Sequence, residues 1–268
     1  MSTALRTRRL TDYDAFDNER KTEYREDVYD FVRGFYPSSD TQIKMLSLPH
    51  QRFFGERDMM YLYPNIKVLG LEKNGKIYSA ASYNMPKRRL SGRPHHTLKA
   101  EPHLLSNVDP EAADRFFAGG VCTEQGVTLL HSNLAYFLVQ CGQMKHDRPL
   151  ATSDIYNKNN FLWPDFNGCL ASESLCQALT CFSYACDDDV KEIPVALTLT
   201  YGRVDVRGLR YPNDGTYKCR LKTVMQLLNE DPRRKPVLLK AYPDVSTNKN
   251  GKNNGTHLLV AFIKMVHR

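Results

Sequence analysis

"KPVLLKAYPDVSTNKNGKNNGTHLLVAFIKMV", residues 235–266, decides the architecture of this chain. Two apolar, β-forming runs, 235–244 and 256–266, flank a segment rich in Asn, Gly and Lys. No helical pattern fits between them, so the spacing predicts an antiparallel pair rather than another parallel strand, which needs a longer crossover. Everything upstream reads differently. Apolar runs at Ile43–Pro49, Asn65–Asn74, Val127–Asn133, the stretch around Phe161–Asp165, and Pro194–Arg203 alternate with helical stripes at 51–63, 75–84, 134–142, 172–187 and 215–230. A further helix is predicted over 18–36, where Tyr24, Val28, Phe31, Val32 and Phe35 share one face before Pro37 ends it. For the helix at 172–187, Ser172 is the expected N-cap. Five alternating units followed by a terminal hairpin predict an α/β fold, with a seven-stranded, mostly parallel sheet and helices on both faces.

The bulk numbers narrow the class. The chain has 268 residues and a formal charge of +7, which favours an anionic partner such as nucleic acid. No apolar run spans a bilayer, and the N-terminus lacks the apolar stretch of a signal peptide, so no membrane role is expected. The seven cysteines have no C-x-x-C pair, read as reduced thiols, and suggest neither zinc nor another metal. A cytoplasmic protein is expected (host cytoplasm if viral). Residues 1–40 read as an N-terminal helical extension and 41–268 as the main domain, with a basic insertion at about 86–126 and a short helix near 110–120.

In such sheets ligands sit beyond the carboxyl ends of the strands. Those ends carry Leu48 and Pro49, Glu72, Ser132 and Asn133, Asp165, and Tyr201 to Arg203. "FLWPDFNG" is the most unusual of them: an apolar run breaks at Pro164, Asp165 follows at once, and the chain is expected to turn. Asp165 could accept a proton from a reacting group, or cap an Asx-type turn with Asn167. Trp163 and Phe166 could stack a flat base or belong to the core. Lys87, Arg88, Arg89, Arg93, His95, His96 and Lys99, with Arg203 after the fifth strand, are candidates for gripping phosphates.

The order of elements and these motif positions resemble the class I S-adenosylmethionine-dependent methyltransferases, in form nearest the divergent phage and mobile-element proteins, over roughly residues 40–268. The resemblance implies a Rossmann-like fold and S-adenosylmethionine as cofactor. It places Leu46, Ser47, Leu48, Pro49 and His50 in the loop that cradles the cofactor. Glu72, followed by Lys73, would accept hydrogen bonds from the ribose hydroxyls, Ser132 or Asn133 would lie near the adenine, and Asp165 near the methyl donor. The expected reaction is methyl transfer to DNA or RNA, with Asp165, Phe166 and Lys240 at the reacting centre. Lys240 and Asp165 match two places of the Lys–Asp–Lys–Glu tetrad of ribose 2′-O-methyltransferases; the last strand offers no glutamate. The first loop has His50 and Gln51 where the family has glycines. The alternative is therefore a non-catalytic protein on the same fold that binds nucleic acid or a partner protein, itself or another.

Overall fold

A computed structural model describes residues 19–49, 53–83, 98–99, 121–124, 126–147, 158–166, 173–201, 216–247 and 253–268. Its strands, in chain order, are β1 (Lys44–Ser47), β2 (Lys67–Leu71), β3 (Leu98–Lys99), β4 (Val121–Glu124), β5 (Val127–Leu130), β6 (Phe161–Trp163), β7 (Asp165–Phe166), β8 (Glu192–Tyr201), β9 (Arg234–Thr247) and β10 (Asn253–His267). The helices are α1 (Glu19–Phe35), α2 (Phe54–Leu62), α3 (Gly75–Tyr83), α4 (Leu134–Asp147), α5 (Glu173–Thr180) and α6 (Thr216–Asn229).

One sheet runs β3-β4-β5-β2-β1-β6-β8-β10-β9, with the short β7 also paired to β8. β5, β2, β1, β6 and β8 are parallel, and β10 enters antiparallel between β8 and β9. This is the Rossmann-like class I methyltransferase arrangement, and the terminal pair forms as its spacing predicts. The central strands read as unbroken apolar runs because both of their faces are covered. Residues 193–199 of β8, for example, are all buried.

Alternation along each strand divides the core in two. On one face Leu46, Leu69, Leu162 and Leu197 meet α4, α5 and α6 through Phe137, Leu138, Leu179, Val224 and Leu228. On the other, Met45, Val68, Phe161 and Val260 meet α1, α2 and α3 through Val28, Val32, Met59 and Ala81. α1 thus packs directly on the sheet: its apolar stripe seats Val28, Tyr29 and Val32 at 0–2% exposure. The crossovers through α2 and α3 lie on that face and the later three on the opposite one, so the chain leaves β1 and β6 in opposite directions. That reversal is the topological switch point, and sheets of this kind bind ligands at the carboxyl ends beside it.

Four features differ from the sequence reading. The sheet has more than seven strands: the segment 86–126, read as irregular, contributes β3 and β4. β4 turns back onto β5 through Gly126, whose φ of 89° suits a residue without Cβ. The helix predicted over 172–187 stops at Thr180, and a 3₁₀ turn, Phe182–Ala185, takes its place. The cause is remote. Asp231, fully buried, accepts hydrogen bonds from the Ser183 amide (2.8 Å) and hydroxyl (2.5 Å), which an uninterrupted helix would not present. The strand is interrupted at Pro164 but does not turn at Asp165: it resumes there as β7 along β8. β9 carries a bulge: Phe262 pairs with Lys240 and Ile263 with Leu238, leaving Leu239 as the extra residue. The expected Ser172 cap and the short helix near 110–120 lie outside the described residues.

Candidate active site

The site is built on strand register. Ser47, the last residue of β1, stands between Gly70 of β2 and Trp163 of β6. Beyond that level the strands part. Pro164 has no N–H to donate, and its carbonyl accepts the Thr198 amide of β8 at 3.3 Å. β7 then pairs with β8 alone, Asp165 opposite Thr198, and the chain peels away from β1. Asp165 emerges exposed on the α1/α2 face, its carboxylate accepting a hydrogen bond from the Thr198 hydroxyl. It is therefore fixed in place and still open to a reactant.

The two aromatic residues around Asp165 do other work than stacking a base. Trp163 is buried against Tyr24, Tyr29 and Phe161, and its indole N–H donates to the Tyr24 hydroxyl at 2.9 Å. Alternation sends Phe166 to the opposite face, where it packs against the α4–α6 side of the core rather than beside Asp165.

The loop after β1 packs against the neighbouring strand. Leu46, Ser47 and Pro49 are buried, and Leu48 is half-buried against the α4–α6 core. Pro49 lies on Gly70: a Cβ there would stand 2.9 Å from the Pro49 ring. At the far end of the loop Phe53 adopts φ 53°, ψ 43°, a left-handed conformation that is rare outside glycine, and it is fully buried. His50 lies outside the described residues.

Glu72 follows β2 directly. Its amide donates to the Leu130 carbonyl, and its own carbonyl accepts the Ser132 amide, which ties together the loops that follow β2 and β5. One carboxylate oxygen accepts the Asn74 amide at 2.7 Å; none of the described residues donates to the other. A half-buried carboxylate with an accepting oxygen to spare fits a ribose diol. Asn133 spends its side-chain oxygen on the Ala135 amide, capping α4, and Ser132 is half-buried beside it. Lys73 is exposed, and its carbonyl lies 3.3 Å from His131 Nε2, whose ring stacks on Tyr78 at 4.9 Å. Glu72, Ser132 and Asn133 therefore meet on one side of the switch point, with Asp165 across β1 from them.

Lys240 is not among them. It is held on the surface by Asp27 of α1 (3.1 Å) and by the ring of Tyr242, with β10 and β8 between its strand and β7. Lys99 lies in β3 at the far edge of the sheet, paired opposite Cys122. Lys87, Arg88, Arg89, Arg93, His95, His96 and Arg203 lie outside the described residues. Among the described residues no group of three or more His, Cys, Asp or Glu could hold a metal, and no helix is long and apolar enough to cross a membrane.

Sequence reasoning passed over Glu56. It occupies the first turn of α2 and is 6% exposed. The polar groups around it are the Ser47 hydroxyl, the Asp165 carboxylate and the Arg25 guanidinium. Burial, reinforced by Asp165, raises its pKa to about 7; a helix-terminal backbone N–H, Ser47 and Arg25 oppose the rise. Burial and Asp165 likewise raise the Tyr24 phenol. The available signal was an acid in the first turn of the helix after β1, inside the apolar stretch "FFGERDMM".

No family model matches the sequence, and no curated protein matches it. Among solved structures it is similar to a TehB-like SAM-dependent methyltransferase from Corynebacterium glutamicum (12% identity, 100% of this chain and 97% of that one, TM-score 0.45). It is also similar to TYW2 from M. jannaschii in complex with AdoMet (8%, 94% and 78%, 0.46). A third similar structure is the N-methyltransferase NodS from Bradyrhizobium japonicum in complex with S-adenosyl-L-homocysteine (7%, 93% and 89%, 0.44). The fold assignment rests on strand order and direction.

Proposed function

We propose that this protein is an S-adenosylmethionine-dependent methyltransferase that acts on nucleic acid. The observation that supports the reading is the reversal of crossover direction between β1 and β6, with a half-buried carboxylate, Glu72, after β2 on one side and an exposed carboxylate, Asp165, after β6 on the other. Glu72 would hold the ribose, the Leu46–His50 loop and Ser132–Asn133 would flank the rest of the cofactor, and S-adenosylmethionine supplies an electrophilic methyl group when bound. Asp165 orients the acceptor and takes its proton, and Thr198 fixes the direction of that carboxylate. Nucleic acid as the acceptor is supported by the +7 charge and by the basic run from Lys87 to Lys99.

Calorimetry tests the cofactor. The full-length protein is expected to give heat with S-adenosylmethionine, and Glu72→Ala to bind roughly 10- to 100-fold more weakly, as loss of a charged acceptor implies. Absence of heat from the wild type would leave the non-catalytic reading standing. Methyl transfer to DNA and to RNA, with Asp165→Asn as control, then names the acceptor; equal rates for that variant and the wild type would remove Asp165 from the chemistry.

A further inference from the structure

The methyl-transfer reading uses Glu72 and leaves unused the group that holds it in place. Glu72 Oε1 accepts the Asn74 amide at 2.7 Å. That amide belongs to the peptide unit between Lys73 and Asn74, and the carbonyl of the same unit faces His131 Nε2 at 3.3 Å. A carbonyl only accepts, so Nε2 is the nitrogen that carries the proton. One peptide plane therefore joins the imidazole on one side to the carboxylate on the other. His131 is itself placed by β5 and α3. It follows β5 directly, and its ring stacks on Tyr78 with centroids 4.9 Å and planes 21° apart. It lies over the first residue of α3, where a Cβ on Gly75 would stand 3.5 Å from its Cε1. The backbone around it is tied across the strands: the Glu72 amide donates to Leu130 at 3.0 Å, and the Ser132 amide to Glu72 at 3.1 Å. Asn74 is anchored as well, since its side-chain oxygen accepts the Ile77 amide at 3.3 Å at the start of α3.

We propose that His131 is a positioning residue for Glu72: through the Lys73–Asn74 peptide it fixes the carboxylate that meets the ribose diol. This rests on the reading of Glu72 as the ribose ligand of the cofactor. A peptide unit is planar and turns as one body about the bonds that flank it. Holding its carbonyl therefore sets the direction of its N–H, and with it the Glu72 oxygen that the N–H holds. The bond to the carbonyl also polarises the unit and strengthens its N–H as a donor. A carboxylate with one oxygen pinned presents the other in a fixed direction, which reduces the ordering that binding a diol would cost. The ring has two separable uses. Its edge donates to the Lys73 carbonyl, and its face packs on Tyr78.

Calorimetry of the full chain with S-adenosylmethionine separates the two uses. His131→Phe keeps the face on Tyr78 and removes the donor, so affinity should fall roughly 3- to 10-fold, as loss of one hydrogen bond implies. His131→Gln loses the ring but reaches the carbonyl with an amide N–H, and should recover most of that loss. In a Glu72→Ala background, His131→Phe should weaken binding no further, because the carboxylate it acts through is gone. Wild-type affinity in His131→Phe, an equal loss in His131→Gln, or an additive loss in the double variant overturns the positioning role. Absence of cofactor heat in the wild type would instead overturn the reading of Glu72 as a ribose ligand. Nitrogen NMR of labelled histidine still reads the link in that case: the neutral His131 ring should carry its proton on Nε2, and a proton on Nδ1 overturns the bond to Lys73.

Discussion

Gly55→Ala is a one-carbon probe of how the site is assembled. The added Cβ would stand 2.4, 2.8 and 3.1 Å from three carbons of the Trp163 six-membered ring, where ordinary contacts need about 3.5 Å or more. The indole cannot flex, and Tyr24, Tyr29 and Phe161 surround it with ring centroids 6.1–6.3 Å away, so about 1 Å of movement must pass to its neighbours. Overpacking of this kind costs about 1–3 kcal/mol. Displacing the indole also weakens its bond to Tyr24, worth about 1 kcal/mol. Alanine's higher helix propensity returns about 1 kcal/mol at most. The expected net result is a loss of about 1–3 kcal/mol. Trp163 is the single tryptophan of the chain, so urea denaturation followed by its fluorescence measures stability and environment together. The emission should shift to the red in the folded variant. A variant stabilised by about 0.5–1 kcal/mol with unchanged emission would show that α2 does not rest on Trp163, and the placement of Glu56 would fall with it.

Glu56 also makes stability depend on pH. Its folded pKa, about 7, lies above the ordinary 4.5, so the folded state holds the proton more tightly than the unfolded chain. The gain is complete below about pH 4.5 and is lost as pH rises through 7, on the order of 3 kcal/mol in all. Gln stands in for the protonated acid, so in urea titrations from about pH 5 to 8 the wild type should lose stability relative to Glu56→Gln; a flat difference refutes it. Asp231→Ala leaves three donors unsatisfied, the Ser183 amide, the Ser183 hydroxyl and the Arg233 amide, and should cost about 3–5 kcal/mol by chemical denaturation. Lys240→Ala removes an exposed ion pair with Asp27 and an exposed cation–π contact with Tyr242, so stability should change by about 1 kcal/mol or less and heat of cofactor binding should stay the same.

The strands legible from sequence were those whose pattern does not depend on a distant partner. β1, β2, β5 and β8 are buried on both faces and read as unbroken apolar runs, and the hairpin loop declared the direction of β10. β4 escaped because its turn is marked by Gln125–Gly126, a weaker signal than Asn-Gly or Asp-Gly, and because basic residues dominate the segment before it. The end of α5 could not be read locally, since the residue that stops it, Asp231, is 48 positions beyond Ser183. The acids Glu72 and Asp165 were visible as charges at the ends of apolar runs. Glu56 was not, because a helix pattern says which face is apolar but not that an acid in the first turn will be roofed by α1. Trp163 looked available for stacking for the related reason that its partners, Tyr24 and Tyr29, lie more than 130 positions upstream.

The bulged outer strand bears on how the protein behaves at high concentration. β9 is 14 residues long and, among the described residues, ends the sheet, so its outer side could recruit a strand from another molecule, and Leu238 and Leu239 are 40% and 49% exposed there. Pro236 and Pro243 have no N–H to offer an incoming chain, and Lys235 and Lys240 set charges along the strand. The extra residue at Leu239 breaks the regular spacing that a second strand would have to match. The exposed leucines therefore sit where a neighbouring chain finds no continuous ladder, and the sheet's open edge resists growth into aggregates.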